Sequence, residues 1–298
     1  MSEPSIFDSE IDLPSAQLAA REPRLLGFEA LYARIHAQLQ LLLHGSELAR
    51  WSERHHKKIL PICDLVTEQY PLVLFHGDVG TGKTAMAETI ANRLVTEARS
   101  EDSVLFKLSN RVRGSGMVGE MGSLLSEAFT QVIKAAGKGR RAILIIDEAD
   151  SLAAARSQAH SHHEDKVAVN TLIQGIDDFR QFGGRIVVIL CTNRLSAIDP
   201  AVRRRAAIIE TFQRPSDEQR GELFRMDLDG LGLSSQEIAA LIAATGPRSG
   251  KPGWTFSDIR TRLYPAALAR AYPDAPLSFA HLHEVAKAMA ASPIVDDI

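Results

Sequence analysis

Cysteine is nearly missing: the 298 residues hold two, Cys63 and Cys191, with no C-x-x-C spacing and no histidine pair to complete a site. That excludes a disulfide framework and a zinc ribbon, and leaves both thiols as small buried apolar side chains. Long apolar runs are missing too. The stretches of the 186–191 kind fall far short of the ~18 residues that cross a bilayer, so no membrane partner is expected. Nor is there a basic excess. Thirty-four Lys and Arg stand against 37 Asp and Glu, a formal charge of -3, which is no general reservoir for a phosphate backbone. The first 13 residues carry Glu3, Asp8, Glu10 and Asp12 without a basic residue or an apolar centre. This is unlike a signal or transit peptide, and the expected compartment is cytoplasmic. Internal repeats and low-complexity tracts are lacking. What remains is a globular composition, 45% hydrophobic and 24% charged, in a length that allows about two domains.

Residues 1–24 are polar, contain Pro4, Pro14 and Pro23, and show no period, which reads as a flexible N-terminal tail. Phe28, Leu31, Tyr32, Ile35, Leu39 and Leu42 then recur at intervals of three and four, an amphipathic helix ending near residues 44–45. A second helix is expected over residues 46–66, with His55, His56, Lys57 and Lys58 as a solvated face. From Pro71 the texture changes to short apolar runs at 72–75, 104–108, 142–146, 186–191 and 208–212. Five such runs separated by helical patterns predict a parallel α/β sheet with helices on both faces. After Pro215 the strands stop. Ser216 and Ser234 open two capping boxes, a third helical stretch over 257–271 is kinked by Pro265, and a fourth spans 278–290. The expected domains are the tail, a large α/β domain over 25–214 led by the helices of 25–70, and a small all-helical lid over 215–298.

The chemistry concentrates at the ends of the apolar runs. Gly77, Asp78, Val79, Gly80, Thr81, Gly82, Lys83 and Thr84 fit G-x-x-x-x-G-K-[S/T], after a strand and before a helix. Glycines let backbone N–H groups wrap phosphate oxygens, Lys83 brings a point charge to the β and γ phosphates, and Thr84 offers a hydroxyl to Mg²⁺. The run 142–146 ends in Asp147 and Glu148, which places two carboxylates at the carboxyl edge of the sheet. Asp147 is expected to serve the metal and Glu148 to polarise an attacking water. Asn193, at the end of 186–192, is a candidate for positioning that water or sensing the γ-phosphate.

These residues, with Val169-Asn170, Ile176-Asp177 and Thr192-Asn193, resemble the ordered motifs of the AAA+ ATPases over residues 25–290. Residues 198–205 resemble that family's arginine-finger segment. The resemblance implies ATP and Mg²⁺ as ligands and a homo-oligomeric ring, usually a hexamer. In it, Arg204 and Arg205 would reach the γ-phosphate of a neighbouring subunit. Among AAA+ proteins the chain looks most like the pachytene-checkpoint type, remodellers of HORMA-domain proteins, in a short bacterial form. Gly116, Met117, Val118 and Gly119 sit where that type has its first pore loop, with Met117 and Val118 in place of an aromatic-centred pair. Residues 158–163, with His160, His162 and His163, fall where a second pore loop would lie. An arginine is missing in register near residues 255–259, where the family has its sensor 2; Arg260 and Arg262 lie nearby, and neither is assigned that role. The separate N-terminal adaptor-binding domain of the eukaryotic members is not expected within residues 1–24. The implied function is ATP-driven unfolding or dissociation of a HORMA-domain protein, resetting a HORMA-controlled second-messenger system used in phage defence. The alternatives are a nucleic-acid motor or clamp-loader-like ATPase, which would need a basic appendage that the C-terminal helices do not supply, and a nucleotide-gated scaffold without turnover.

Overall fold

The computed structural model describes residues 5–43, 45–98, 102–109, 112, 120–152, 163–248 and 250–294. The first element corrects the sequence reading. Residues taken for part of a flexible tail form strand β1 (Phe7–Leu13) and helix α1 (Ala16–Arg21). Phe7 and Leu13 are buried on the inward positions of the strand, while Asp8, Glu10 and Asp12 fall on its exposed ones. Ser15 caps α1, accepting from the Leu18 amide, and its own amide donates to Asn92 Oδ1 at 2.7 Å.

The five apolar runs are strands, as expected: β2 (Leu72–Gly77), β3 (Ser103–Leu108), β4 (Arg141–Ile146), β5 (Ile186–Thr192) and β6 (Ile208–Phe212). They lie in the order β3-β4-β5-β2-β6, all parallel, and β1 adds a sixth, antiparallel strand at the β3 edge. The sheet is therefore mixed rather than purely parallel. Its apolar runs are continuous because both faces are covered. Leu72, Leu74, Leu144, Ile146 and Val188 join the core under α6 (Glu120–Ala136) and α7 (His163–Arg180). Val73, Phe75, Ile143, Ile145 and Ile189 join the core on the opposite face, under α1, α2 (Phe28–Leu43) and α5 (Lys83–Glu97).

Phe28, Leu31, Tyr32, Ile35 and Leu39 are the buried stripe of α2 that the periodicity predicts. The single helix expected over 46–66 is two, α3 (Gly45–His56) and α4 (Pro61–Thr67). Lys57 turns at φ 59°, and buried Ser52 staples the corner, donating to the Lys58 carbonyl and accepting from the Leu60 amide, both at 3.0 Å. Pro61 enforces the break, since a residue before proline avoids the helical region. The His55 to Lys58 cluster is exposed, as a solvated face would be. Both cysteines are free and buried.

The helical lid follows Pro215, with α9 (Asp217–Asp227) and α10 (Ser235–Thr245) each opened by the capping box its sequence announces. The kink expected at Pro265 is a π-helical turn (Asp258–Leu263) running into α11 (Tyr264–Ala271). A helix lacking the proline N–H relaxes its bonding in the preceding turn. Helix α12 (Phe279–Ala288) completes a separate lid core around Leu241, Trp254, Ile259 and Leu282.

If β1 and α1 are part of the folded core, Leu13→Ala, at a side chain 2% exposed, lowers unfolding free energy by about 2–4 kcal/mol in urea titration. A change under about 0.5 kcal/mol would return this segment to a tail.

Candidate functional site: a nucleotide cleft at the carboxyl edge of the sheet

The phosphate loop leaves β2 between its neighbours β5 and β6, where open α/β sheets bind ligands. Gly77 has φ +139°, and a Cβ there would lie 1.9 Å from the Phe212 carbonyl oxygen, so only glycine lets β2 and β6 run together into the loop. Gly82 ends the loop as the left-handed cap of α5, leaving the first amides of that helix for an anion.

Lys83 is 6% exposed. Its ammonium donates to the Gly77 and Asp78 carbonyls, each at 2.8 Å, and to Asn193 Oδ1 at 2.9 Å. All three of its N–H groups are thereby satisfied. Burial pulls its pKa down, and the carboxylates of Asp147 and Asp78 pull the other way. Cys191 beside it is pushed well above the ordinary thiol range by its own burial, so it carries no charge at neutral pH. On the next strand, Asp147 accepts from the Thr84 hydroxyl at 2.7 Å and from the Glu148 amide at 2.9 Å. Glu148 follows at φ 49° with its side chain exposed. A left-handed non-glycine residue is strained backbone of the kind found at working sites.

Lys83, Thr84, Asp147, Glu148 and Asn193 all line one cleft of about 400 Å³, so the structure unites the residues of the three strand ends. It also adds residues that the sequence reading had not assigned to the site. Leu25, Leu26 and Phe256 supply an apolar wall of the kind a nucleobase needs, and Arg260 reaches the same cleft. Arg260 and Arg262, level in the sequence, are now separated. Arg260 lies at the cleft and forks onto Asp227, both contacts at 2.7 Å, whereas Arg262 is tied to Asp258 at 2.7 Å and does not line the cleft. The only sequence signal for the wall was the Leu25-Leu26 doublet before Gly27, outside any periodic stretch.

Arg204 and Arg205 are not brought to this cleft. They border another one, of about 410 Å³, with Tyr70 and Arg180. Arg205 forks onto Asp177 at 2.6 and 3.0 Å and lies over the Tyr70 ring, while Arg204 is exposed at the end of α8 (Pro200–Arg203). The loop residues Gly116, Met117, Val118 and Gly119 lie outside the described residues, as do His160, His162 and the side chain of His163.

A strand, a glycine-rich loop cradling a buried lysine, and an Asp-Glu pair at a nearby strand end match the model of "ATPase family associated with various cellular activities (AAA)" over residues 73–214. Over all 298 residues the chain is 65% identical to CD-NTase-associated protein 6 of Escherichia coli strain KTE188, each chain covered completely. The chain belongs to the AAA ATPase family. It is an ATP hydrolase. A solved structure of the E. coli MS115-1 HORMA:CdnC:Trip13 complex contains a chain 41% identical, matched over 97% of this chain and 98% of that one with a TM-score of 0.88. A Rhizobiales Trip13 structure matches with 34% identity, over 96% and 99% of the two chains, at a TM-score of 0.72. Those folds agree with the six-stranded sheet and helical lid described above. Among the described residues, no helix is long and apolar enough to cross a membrane.

If Lys83 serves the phosphates and Glu148 the attacking water, Lys83→Ala removes ground-state contacts and Glu148→Gln removes the water-activating group. Fluorescent-nucleotide titration is expected to show binding lost in the first and kept within a few-fold in the second, with turnover lost in both. Equal loss of affinity in the two would overturn the division of roles.

Proposed function

We propose that this ATPase works as a ring and uses hydrolysis to unfold or dissociate a HORMA-domain protein. The observation that carries the reading is the end-to-end likeness to the Trip13 chain of a HORMA:CdnC:Trip13 complex, at 41% identity. A whole-chain match supports a shared partner more strongly than a shared phosphate loop, which unrelated ATPases also carry. The name of the 65% identical relative, CD-NTase-associated protein 6, supports a place beside a nucleotidyltransferase in a HORMA-controlled defence system, with the cytoplasm as its setting.

Mg²⁺ fits the donors present: the Thr84 hydroxyl and the Asp147 carboxylate meet at 2.7 Å at the sheet edge, an all-oxygen pair suited to a hard cation. Thr84 and Asp147 would hold the ion, which would supply positive charge against the phosphates. The chain's own residues do the rest. Lys83 exchanges its carbonyl and Asn193 partners for phosphate oxygens, Asn193 is freed to contact the γ-phosphate or the water, and Glu148 accepts that water's proton as it attacks. Among the described residues Arg204 and Arg205 stand away from their own chain's cleft, and the exposed Arg204 points to completion by a neighbour in a homo-oligomer, a hexamer in the simplest ring. Arg205, already engaged by Asp177, is better suited to holding that segment in place. A Bifidobacterium dentium relative named "AAA ATPase forming ring-shaped complexes", 30% identical over 58% of this chain, supports a ring. Turnover then moves the loop of Gly116, Met117, Val118 and Gly119, whose two apolar side chains grip protein rather than nucleic acid.

The test is steady-state ATPase at low salt with a HORMA-domain protein, single-stranded DNA or duplex DNA. Stimulation by the HORMA protein alone is expected, and Met117→Asp should abolish remodelling while basal ATPase persists. Stimulation by DNA instead would mean a nucleic-acid motor. Separately, Arg204→Ala should lose activity by a factor on the order of 10³ and recover part of it when mixed with Lys83→Ala chains, since some mixed interfaces pair two intact halves. No recovery in verified mixed oligomers would count against a finger acting in trans.

A further inference from the structure

Asp78 is an acid placed inside a loop built to hold phosphate, where its charge opposes the ligand. The structure shows what it does there. One carboxylate oxygen accepts from the Val79 amide at 2.8 Å, bracing the loop, and the other accepts from Arg214 Nε at 2.5 Å. Both side chains are largely buried, 12% and 13% exposed. Arg214 is the last residue before Pro215, where the lid begins, and its remaining nitrogens do not stay in the large domain. They donate to the Gly253 carbonyl at 2.7 Å, ahead of the π-helical turn, and to the Pro293 carbonyl at 2.9 Å, beyond α12. One planar guanidinium thus joins the phosphate loop to two separate segments of the lid, a fixed fork that lysine does not reproduce.

A second contact lies two residues along the loop. The Ser257 amide donates to the Gly80 carbonyl at 3.1 Å, and a Cβ at Gly80 would stand 2.7 Å from Thr255 Oγ1 and 2.8 Å from Ser257 Cβ. Thr255 and Ser257 bracket Phe256, which lines the nucleotide cleft. The loop is therefore clasped by the lid on both sides of Val79.

We propose that Asp78 and Arg214 form a strut that couples the phosphate loop to the lid and neutralises the loop's own acid, so that nucleotide entering the loop moves the lid. The proposal rests on the cleft being the nucleotide site. These are positioning residues: neither is required to touch the reacting atoms. In the free site Arg214 cancels the Asp78 charge. When phosphate draws the Val79 and Gly80 amides toward it, the carboxylate braced on Val79 shifts, and the guanidinium carries that shift to Gly253 and Pro293. Without Arg214, the Asp78 carboxylate faces the incoming phosphates with one cationic partner fewer, worth on the order of tenfold in affinity.

The test compares the parent chain with Arg214→Ala, Arg214→Lys, Asp78→Asn and the double variant Asp78→Asn/Arg214→Ala. Two readouts are taken: the KM and kcat for ATP, and the ATP-dependent emission of Trp254, beside Gly253, in a Trp51→Phe background. Arg214→Ala is expected to raise KM about tenfold with a smaller change in kcat, and to lose the Trp254 response. Arg214→Lys should recover KM but not the full response. The double variant should bring KM back to within about threefold of the parent, because the opposing charge is gone, while the response stays lost. Asp78→Asn, which keeps both carbonyl contacts of Arg214, decides the question should Arg214→Ala not fold: a diminished Trp254 response at saturating ATP is expected. A double variant as weak as Arg214→Ala, or a Trp254 response that survives in Asp78→Asn and Arg214→Ala, overturns the proposal. Absence of ATPase in the parent chain would instead overturn the nucleotide-site reading itself.

Discussion

A lysine ammonium held out of water must be surrounded by oxygen, and that requirement at Lys83 organises the carboxyl edge of the sheet. The Gly77 and Asp78 carbonyls can face the ammonium only because the loop turns back on itself, and Gly77 can enter that turn only because it lacks a Cβ against Phe212. Asn193 completes the set from the end of β5, which fixes the register of β5 against β2 at the site. A buried charge with partners of this kind is satisfied but not committed. Its acceptors are neutral, so an anion that offers better ones takes them over, and the loop's amides and α5 are aimed at the same place.

The strand ends at the cleft were legible because a parallel strand covered on both faces leaves a continuous apolar run, and three of the five runs end beside Gly77, Asp147 and Asn193. What failed to show has physical causes. In β1 the signal was the weak alternation of Phe7, Ile11 and Leu13 with Asp8, Glu10 and Asp12, easily lost between Pro4 and Pro14. The break between α3 and α4 lay in a single Leu60-Pro61 pair inside a plausible helical pattern. The apolar wall of the cleft is assembled from Leu25, Leu26 and Phe256, more than 200 residues apart, and no local period links them. Arg214 and Asp78 are 136 residues apart, so the acid in the phosphate loop looks like an unexplained departure until its partner is seen. The arginine triplet was the reverse case: three adjacent, equivalent-looking residues become distinct once Asp177 and Tyr70 engage Arg205 and leave Arg204 at the surface.

The α/β region and the helical C-terminal region pack separate hydrophobic cores, and a few hydrogen bonds join them. The described hydrogen bonds between them include Arg214 to Gly253 and Pro293 and Ser257 to Gly80, beside the cleft that Arg260 also lines. A proposed ring gives lid motion an output, since each cleft is then shared between the lid and sheet of one subunit and the Arg204 face of the next.

On the proposed reading the cleft is incomplete in a single chain and becomes an ATPase only between two. The most direct measurement is specific ATPase activity as a function of chain concentration at saturating ATP, with sedimentation velocity on the same samples. The account predicts activity per chain that rises with the oligomer fraction and falls toward zero where the chain sediments as a monomer. Constant activity per chain down to concentrations at which only monomer remains would contradict it.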